Sequence, residues 1–158
     1  MDAAALITAA KAKGIMIATA ESCTGGMVSA AITDVPGSSA VFDRTFVTYT
    51  NAAKEQMLGV KPTTLEAHGA VSEQVAAEMA AGALAHSDAQ VAVAITGIAG
   101  PGGSEHKPEG RVCFGLATRD AVTTEMIDYG PRGRDQVRAA ARDHALALLM
   151  QGADSYLP

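Results

Sequence analysis

The chain has 158 residues, 48% apolar but only 4% aromatic, and its 17 acidic against 12 Lys and Arg residues leave a net charge of −5. That length reads as one domain whose core needs no covalent staples, and the acidic balance removes the electropositive face that nucleic-acid binding requires. The longest apolar stretches, 15–20 and 91–95, are far shorter than the roughly 20 residues that span a bilayer, and no signal-peptide pattern opens the chain.

Helices alternate with strands along the sequence. An alanine-rich helix over 2–13 starts near Asp2 and stops at Gly14. A buried strand over 15–20 runs into Glu21-Ser22-Cys23-Thr24-Gly25-Gly26, where Ser22 or Thr24 caps a helix over 25–33. Asp34-Val35-Pro36-Gly37 ends that helix, and Ser38 and Ser39 precede a strand over 44–50 rich in β-branched and aromatic residues. Asn51 caps a helix over 52–58 stopped by Gly59, and Pro62 opens a short helix that ends at His68-Gly69. Ser72 caps a longer helix that reaches about His86, with Glu73 suited to its first turn. A second buried strand, 90–96, breaks into Thr96-Gly97-Ile98-Ala99-Gly100-Pro101-Gly102-Gly103. Beyond the loop at 97–109, segments 111–118 and 123–129 form a hairpin around Arg119-Asp120. A helix over 133–150 closes the chain with Val137, Ala141, Leu146 and Leu149 toward the core, and the tail from Gly152 is expected to fray. The order predicts a single domain over 1–158, a three-layer α/β/α sandwich on a mixed, partly parallel sheet.

Both buried strands end in glycines and hydroxyls, as strands do when they stop at a ligand crevice. Glycines there let main-chain N–H groups approach a ligand, and hydroxyls add directional hydrogen bonds. Ser22, Thr24, Gly25, Gly26, Thr96, Gly97 and Gly100 are therefore candidates to bind a polar, phosphorylated small molecule. The first turn reads equally as a plain N-cap; the glycine density of the second favours binding over a structureless loop. Neither a P-loop lysine nor a G-x-S-x-G elbow is present. Ser39 precedes Lys54 by fifteen residues, with Tyr49 at the end of the strand between them. Serine needs a base to become a nucleophile, and a desolvated lysine can serve. Spacing alone does not bring these groups together, and capping serines with a surface lysine are the plainer reading. Arg132 and Arg134 precede the last helix, where they oppose its dipole and either reach a phosphate or stay solvated. His68, His86, His106 and His144 show no metal-ligand spacing, and Glu21, Glu105 and Glu109 are scattered, so no metal and no cofactor is expected. Cys23 and Cys113 read as reduced thiols of a cytoplasmic protein.

Five segments taken in order resemble the CinA C-terminal domain family: Ala20 through Gly26, Pro36-Gly37-Ser38-Ser39, Phe46 through Asn51 with Lys54, Gly69-Ala70-Val71-Ser72, and Thr96 through Gly103. Its single-domain members are PncC-type nicotinamide-nucleotide amidases. The resemblance implies deamidation of nicotinamide mononucleotide to nicotinate mononucleotide and ammonia, in pyridine nucleotide recycling. It also implies Ser39 as nucleophile, Lys54 as its base, Tyr49 assisting, Thr96 lining the site and Arg134 near the phosphate. The expected partner is a small nucleotide, with neither nucleic acid nor membrane, and a homo-oligomer, a dimer first, is compatible with the alanine-rich helices. A nucleotide-binding regulatory module without chemistry is the alternative.

Overall fold

The computed structural model describes residues 2–104 and 106–158. Helix α1 (Ala3–Lys13) leads into β1 (Ile17–Glu21), α2 (Met27–Thr33), a one-turn 3-10 helix (Ser38–Ala40) and β2 (Phe42–Val47). Helices α3 (Asn51–Leu58), α4 (Pro62–His68) and α5 (Glu73–Ala85) then precede β3 (Val91–Gly97), the hairpin β4 (Arg111–Thr118) and β5 (Val122–Asp128), and α6 (Arg134–Ser155). The strands lie in the order β2-β1-β3-β4-β5. Strand β1 is parallel to both β2 and β3, whereas β4 runs antiparallel to its two neighbours. This is the expected mixed sheet with a C-terminal hairpin.

Side chains alternate across a strand, and here the two faces differ in size. Ile17, Val91, Val93, Ile95, Val112 and Phe114 meet Leu6 of α1 and Val137 and Leu149 of α6. Ala18, Ala20, Ala92, Ala94 and Ala117 meet Val75, Met79 and Ala83 of α5. Alanine on that second face lets α5 sit close: a Cβ on Gly115 would lie 2.4 Å from the Ala76 carbonyl oxygen. The same helix crowds α3, where a Cβ on Gly82 would lie 2.0 Å from the Leu58 carbonyl oxygen.

Asp2 caps α1 and Ser72 caps α5 through side-chain oxygens on the Ala4 and Val75 amides. Two caps differ from expectation. Thr50, not Asn51, caps α3 by accepting from the Ala53 amide. Neither Ser22 nor Thr24 caps α2; its N-cap is Gly26, and the Glu21 carboxylate accepts from the Val28 and Ser29 amides instead. A carboxylate offers more acceptor sites than a hydroxyl, so it displaces the local cap. The C-terminal tail does not fray at Gly152. Helix α6 continues to Ser155, with Gly152 and Ala153 buried. Gly152 is needed for close approach, because a Cβ there would lie 2.6 Å from Val91 Cγ1. Lys13 Nζ then secures the end by donating to the Asp154 and Tyr156 carbonyls. No helix among the described residues is long and apolar enough to cross a membrane.

Candidate active site

Parallel strands leave their following segments together at one edge of the sheet. The segments after β1, β2 and β3 meet there around a cavity of about 320 Å³, closed at one side by the N-terminus of α6. Ser22, Tyr49, Lys54, Thr96, Gly97, Gly100 and Arg134 all line it.

Lys54 is the centre of this arrangement. It sits in the first turn of α3 and is only 1% exposed. Its Nζ lies 3.1 Å from Ser22 Oγ, 3.0 Å from the Thr48 carbonyl oxygen and 3.4 Å from that of Tyr49. Burial lowers the ammonium's pKa from its ordinary 10.5, with opposition from the neighbouring Cys23. Nζ donates to all three oxygens. If the amine loses a proton, the two carbonyls can keep its two N–H groups while the Ser22 hydroxyl donates into the lone pair.

Ser22 follows β1 directly and is itself buried, with its amide bonded to the Ile95 carbonyl. Among the described residues, the next amide, Cys23 N–H, donates to no backbone carbonyl, and neither does Ala99 or Gly100 N–H in the glycine loop. The Cys23 thiol is pushed up to about 12 by burial, which keeps it from acting as a nucleophile. At the mouth, the Arg134 guanidinium donates to the Gly100 carbonyl at 2.8 Å and to Tyr49 Oη at 2.9 Å. Thr96 donates its hydroxyl to the Ala70 carbonyl, and Lys107 donates to the His68 and Val71 carbonyls, so the glycine loop and the segment before α5 are fastened together. Glu109 accepts from the Gly102 amide, and Glu105 lies outside the described residues.

Ser39 stands apart from this cluster. It is exposed in the 3-10 helix that precedes β2, whereas Lys54 and the cavity follow β2. The six residues of β2 separate those two ends by about 20 Å. The structure thus pairs Lys54 with Ser22, a residue the sequence assigned to binding. Thr24, Gly25 and Gly26 also lie off the cavity. The Thr24 hydroxyl turns inward to Glu21, and Gly25 and Gly26 take positive φ of 57° and 105° to bend the chain into α2. Of the neighbouring arginines, Arg132 lies over the Tyr129 ring, and Arg138 donates to the Cys23 and Thr24 carbonyls from behind the turn. Asn51 lines the cavity and was read only as a cap. Among the described residues, no three His, Cys, Asp or Glu side chains are grouped to hold a metal.

Residues 2–152 match the CinA C-terminal domain model. The nicotinamide-nucleotide amidohydrolase PncC of Escherichia coli K12 is 54% identical over 144 residues, 90% of this chain and 87% of that protein. A CinA-like protein of Chlorobium phaeobacteroides is 53% identical over 87% of this chain, but the match spans only 34% of that longer relative. The crystal structure of the competence/damage inducible protein CihA from Agrobacterium tumefaciens superposes with a TM-score of 0.92 at 50% identity, covering 95% of this chain and 92% of that one. With its sheet, its motifs and nearly all of its length matched, the chain belongs to the CinA C-terminal domain family.

Proposed function

We propose that this protein is an amidohydrolase that converts nicotinamide mononucleotide to nicotinate mononucleotide and ammonia, with Ser22 as nucleophile and Lys54 as its base. The buried 3.1 Å contact between Lys54 Nζ and Ser22 Oγ carries this reading. The substrate class comes from the PncC relative, which matches along most of both chains.

Neutral Lys54 takes the Ser22 proton as Oγ attacks the carboxamide carbon. Cys23 N–H, next to the nucleophile and bonded to no backbone carbonyl among the described residues, stabilises the oxyanion that forms. The C–N bond then breaks, and the Lys54 ammonium returns its proton to the departing nitrogen, releasing ammonia. Water attacks the resulting ester with Lys54 again as base, and the Ser22 hydroxyl is restored as nicotinate mononucleotide leaves. At the mouth, Arg134 and the Ala99 and Gly100 amides receive the 5′-phosphate, which fixes the carboxamide at Ser22. Tyr49 holds Arg134 through its phenol and Lys54 through its carbonyl, tying the two ends of the substrate together.

Ammonia release from nicotinamide, its riboside, its mononucleotide and the dinucleotide tests the assignment. The mononucleotide should be the preferred substrate. Ser22→Ala should lose at least about a thousandfold in kcat. Ser39→Ala should stay within about twofold of the parent, as a surface change does. An active Ser22→Ala protein, or an inactive Ser39→Ala protein, would refute the scheme.

A further inference from the structure

Glu21 ends β1 immediately before Ser22 and is fully buried. A carboxylate out of water is costly unless it is paired or richly hydrogen-bonded. Among the described residues no Lys, Arg or His lies in salt-bridge range of it. Six polar groups surround it instead, five of them able to donate to it at once. Oε1 accepts from the Thr24 hydroxyl at 2.8 Å, the Gly26 amide at 3.1 Å and the Val28 amide at 3.0 Å. Oε2 accepts from the Ser29 amide at 3.0 Å and from the hydroxyl pair of Thr19 and Thr45, 3.1 and 3.3 Å away and 2.6 Å from each other, of which one donates to the carboxylate and the other to its neighbour.

These contacts divide into two groups. Thr19 and Thr45, on β1 and β2, fix the carboxylate to the sheet. Thr24, Gly26, Val28 and Ser29 are the turn and first residues of α2, and the same carboxylate fixes them in turn. Ser22 and Cys23 lie between the backbone of Glu21 and the segment its side chain grips, so the carboxylate closes a loop around the nucleophile. Capping the seven residues of α2 alone would need no more than a surface Ser or Asp.

We propose that Glu21 is a positioning residue: its carboxylate holds the Ser22–Gly26 turn so that Ser22 Oγ stays within reach of Lys54 and Cys23 N–H stays on the oxyanion. This rests on the reading of Ser22 as nucleophile. Glu21→Gln is the test, because the amide keeps the shape but can replace only one acceptor oxygen. With the oxygen toward Thr24, Gly26 and Val28, the amide NH₂ confronts the Ser29 N–H. A misplacement of this kind should lower kcat about ten- to hundredfold. KM should stay within about threefold, since the phosphate contacts lie elsewhere.

The second readout is the rate at which a fluorophosphonate labels Ser22, followed by intact mass; it should fall with kcat. Unchanged kcat and labelling would overturn the proposal. So would a loss that disappears once rates are normalised to the folded fraction, because Glu21 would then serve stability alone. If Glu21→Gln does not fold, Thr24→Val removes one hold on the turn while leaving the carboxylate in place. It should slow both turnover and labelling several-fold, and parent rates would overturn the proposal. An active Ser22→Ala protein would defeat the amidase scheme itself. An inactive Ser22→Ala beside an unimpaired Glu21→Gln would defeat only the positioning role.

Discussion

Replacing Lys54 by Met removes the base but keeps a flexible side chain of similar length. The rate effect follows from the contact with Ser22: without Nζ no side chain among the described residues is hydrogen-bonded to Ser22 Oγ to accept its proton. A positioned general base contributes roughly a hundred- to ten-thousandfold, so kcat should fall about a thousandfold, or about 4 kcal/mol of barrier. Stability has two opposing parts. The Thr48 and Tyr49 carbonyls lose their donor, at about 1–3 kcal/mol for each that stays dry. Against this, a desolvated amine is removed, which relieves the folded state. The second part carries a pH signature. Lys54 holds its proton less tightly in the fold than the ordinary value of 10.5, so between its folded pKa and 10.5 the unfolded chain binds more protons. Parental stability therefore rises with pH across that window, relative to Lys54→Met, and the difference is constant below it. Each tenfold loss of proton affinity is worth about 1.4 kcal/mol. Urea unfolding at pH 7 and at pH 10 reads that difference. Ammonia release across the same range should show parental kcat/KM rising as Lys54 deprotonates, and the rise should vanish in the variant. A variant that keeps more than about a tenth of parental kcat, or retains the rise, would refute the assignment of Lys54 as base.

Two further outcomes follow from the packing and from the buried thiol. Gly82→Ala gains about 1 kcal/mol of helix propensity, but its Cβ would meet the Leu58 carbonyl oxygen at 2.0 Å. Overpacking of about 1–3 kcal/mol or more should prevail and lower Tm by several degrees, so an unchanged or raised Tm in a thermal melt would contradict the close approach of α5 to α3. Cys23, with its thiol at about 12, should resist iodoacetamide at about pH 8 in the folded protein and react once urea exposes it. Mass spectrometry distinguishes the two, and rapid modification without urea would show that the thiol is neither buried nor protonated as described.

The order of strands and helices was legible because each layer writes its own period into the sequence. The run 91–95 is apolar without alternation, as a strand covered on both faces must be. The glycine loop was legible as a wall of a pocket because its glycines begin where that strand ends. The serine that meets Lys54 was not legible from spacing. Ser39 is fifteen residues from Lys54 and Ser22 is 32 away, yet the nearer serine precedes β2 and the farther one follows β1. In parallel strands, segments that follow the strands share an edge, and a segment that precedes one is on the opposite edge. That rule separates the two serines where distance along the chain misleads. The cap of α2 was missed for a related reason: Glu21 reads as the last residue of a strand, and its side chain acts on a helix that begins six residues later.

The unequal faces of the sheet set opposite limits on how this sequence can drift. Toward α5 the strands present Ala18, Ala20, Ala92, Ala94, Gly115 and Ala117, and almost any change there adds volume that has nowhere to go. Toward α1 and α6 they present Ile17, Val93, Ile95 and Phe114, and most changes there remove volume and leave a void. Variation on one side is barred from growing and on the other from shrinking. Compensating pairs of substitutions should therefore arise within a face and not across the sheet.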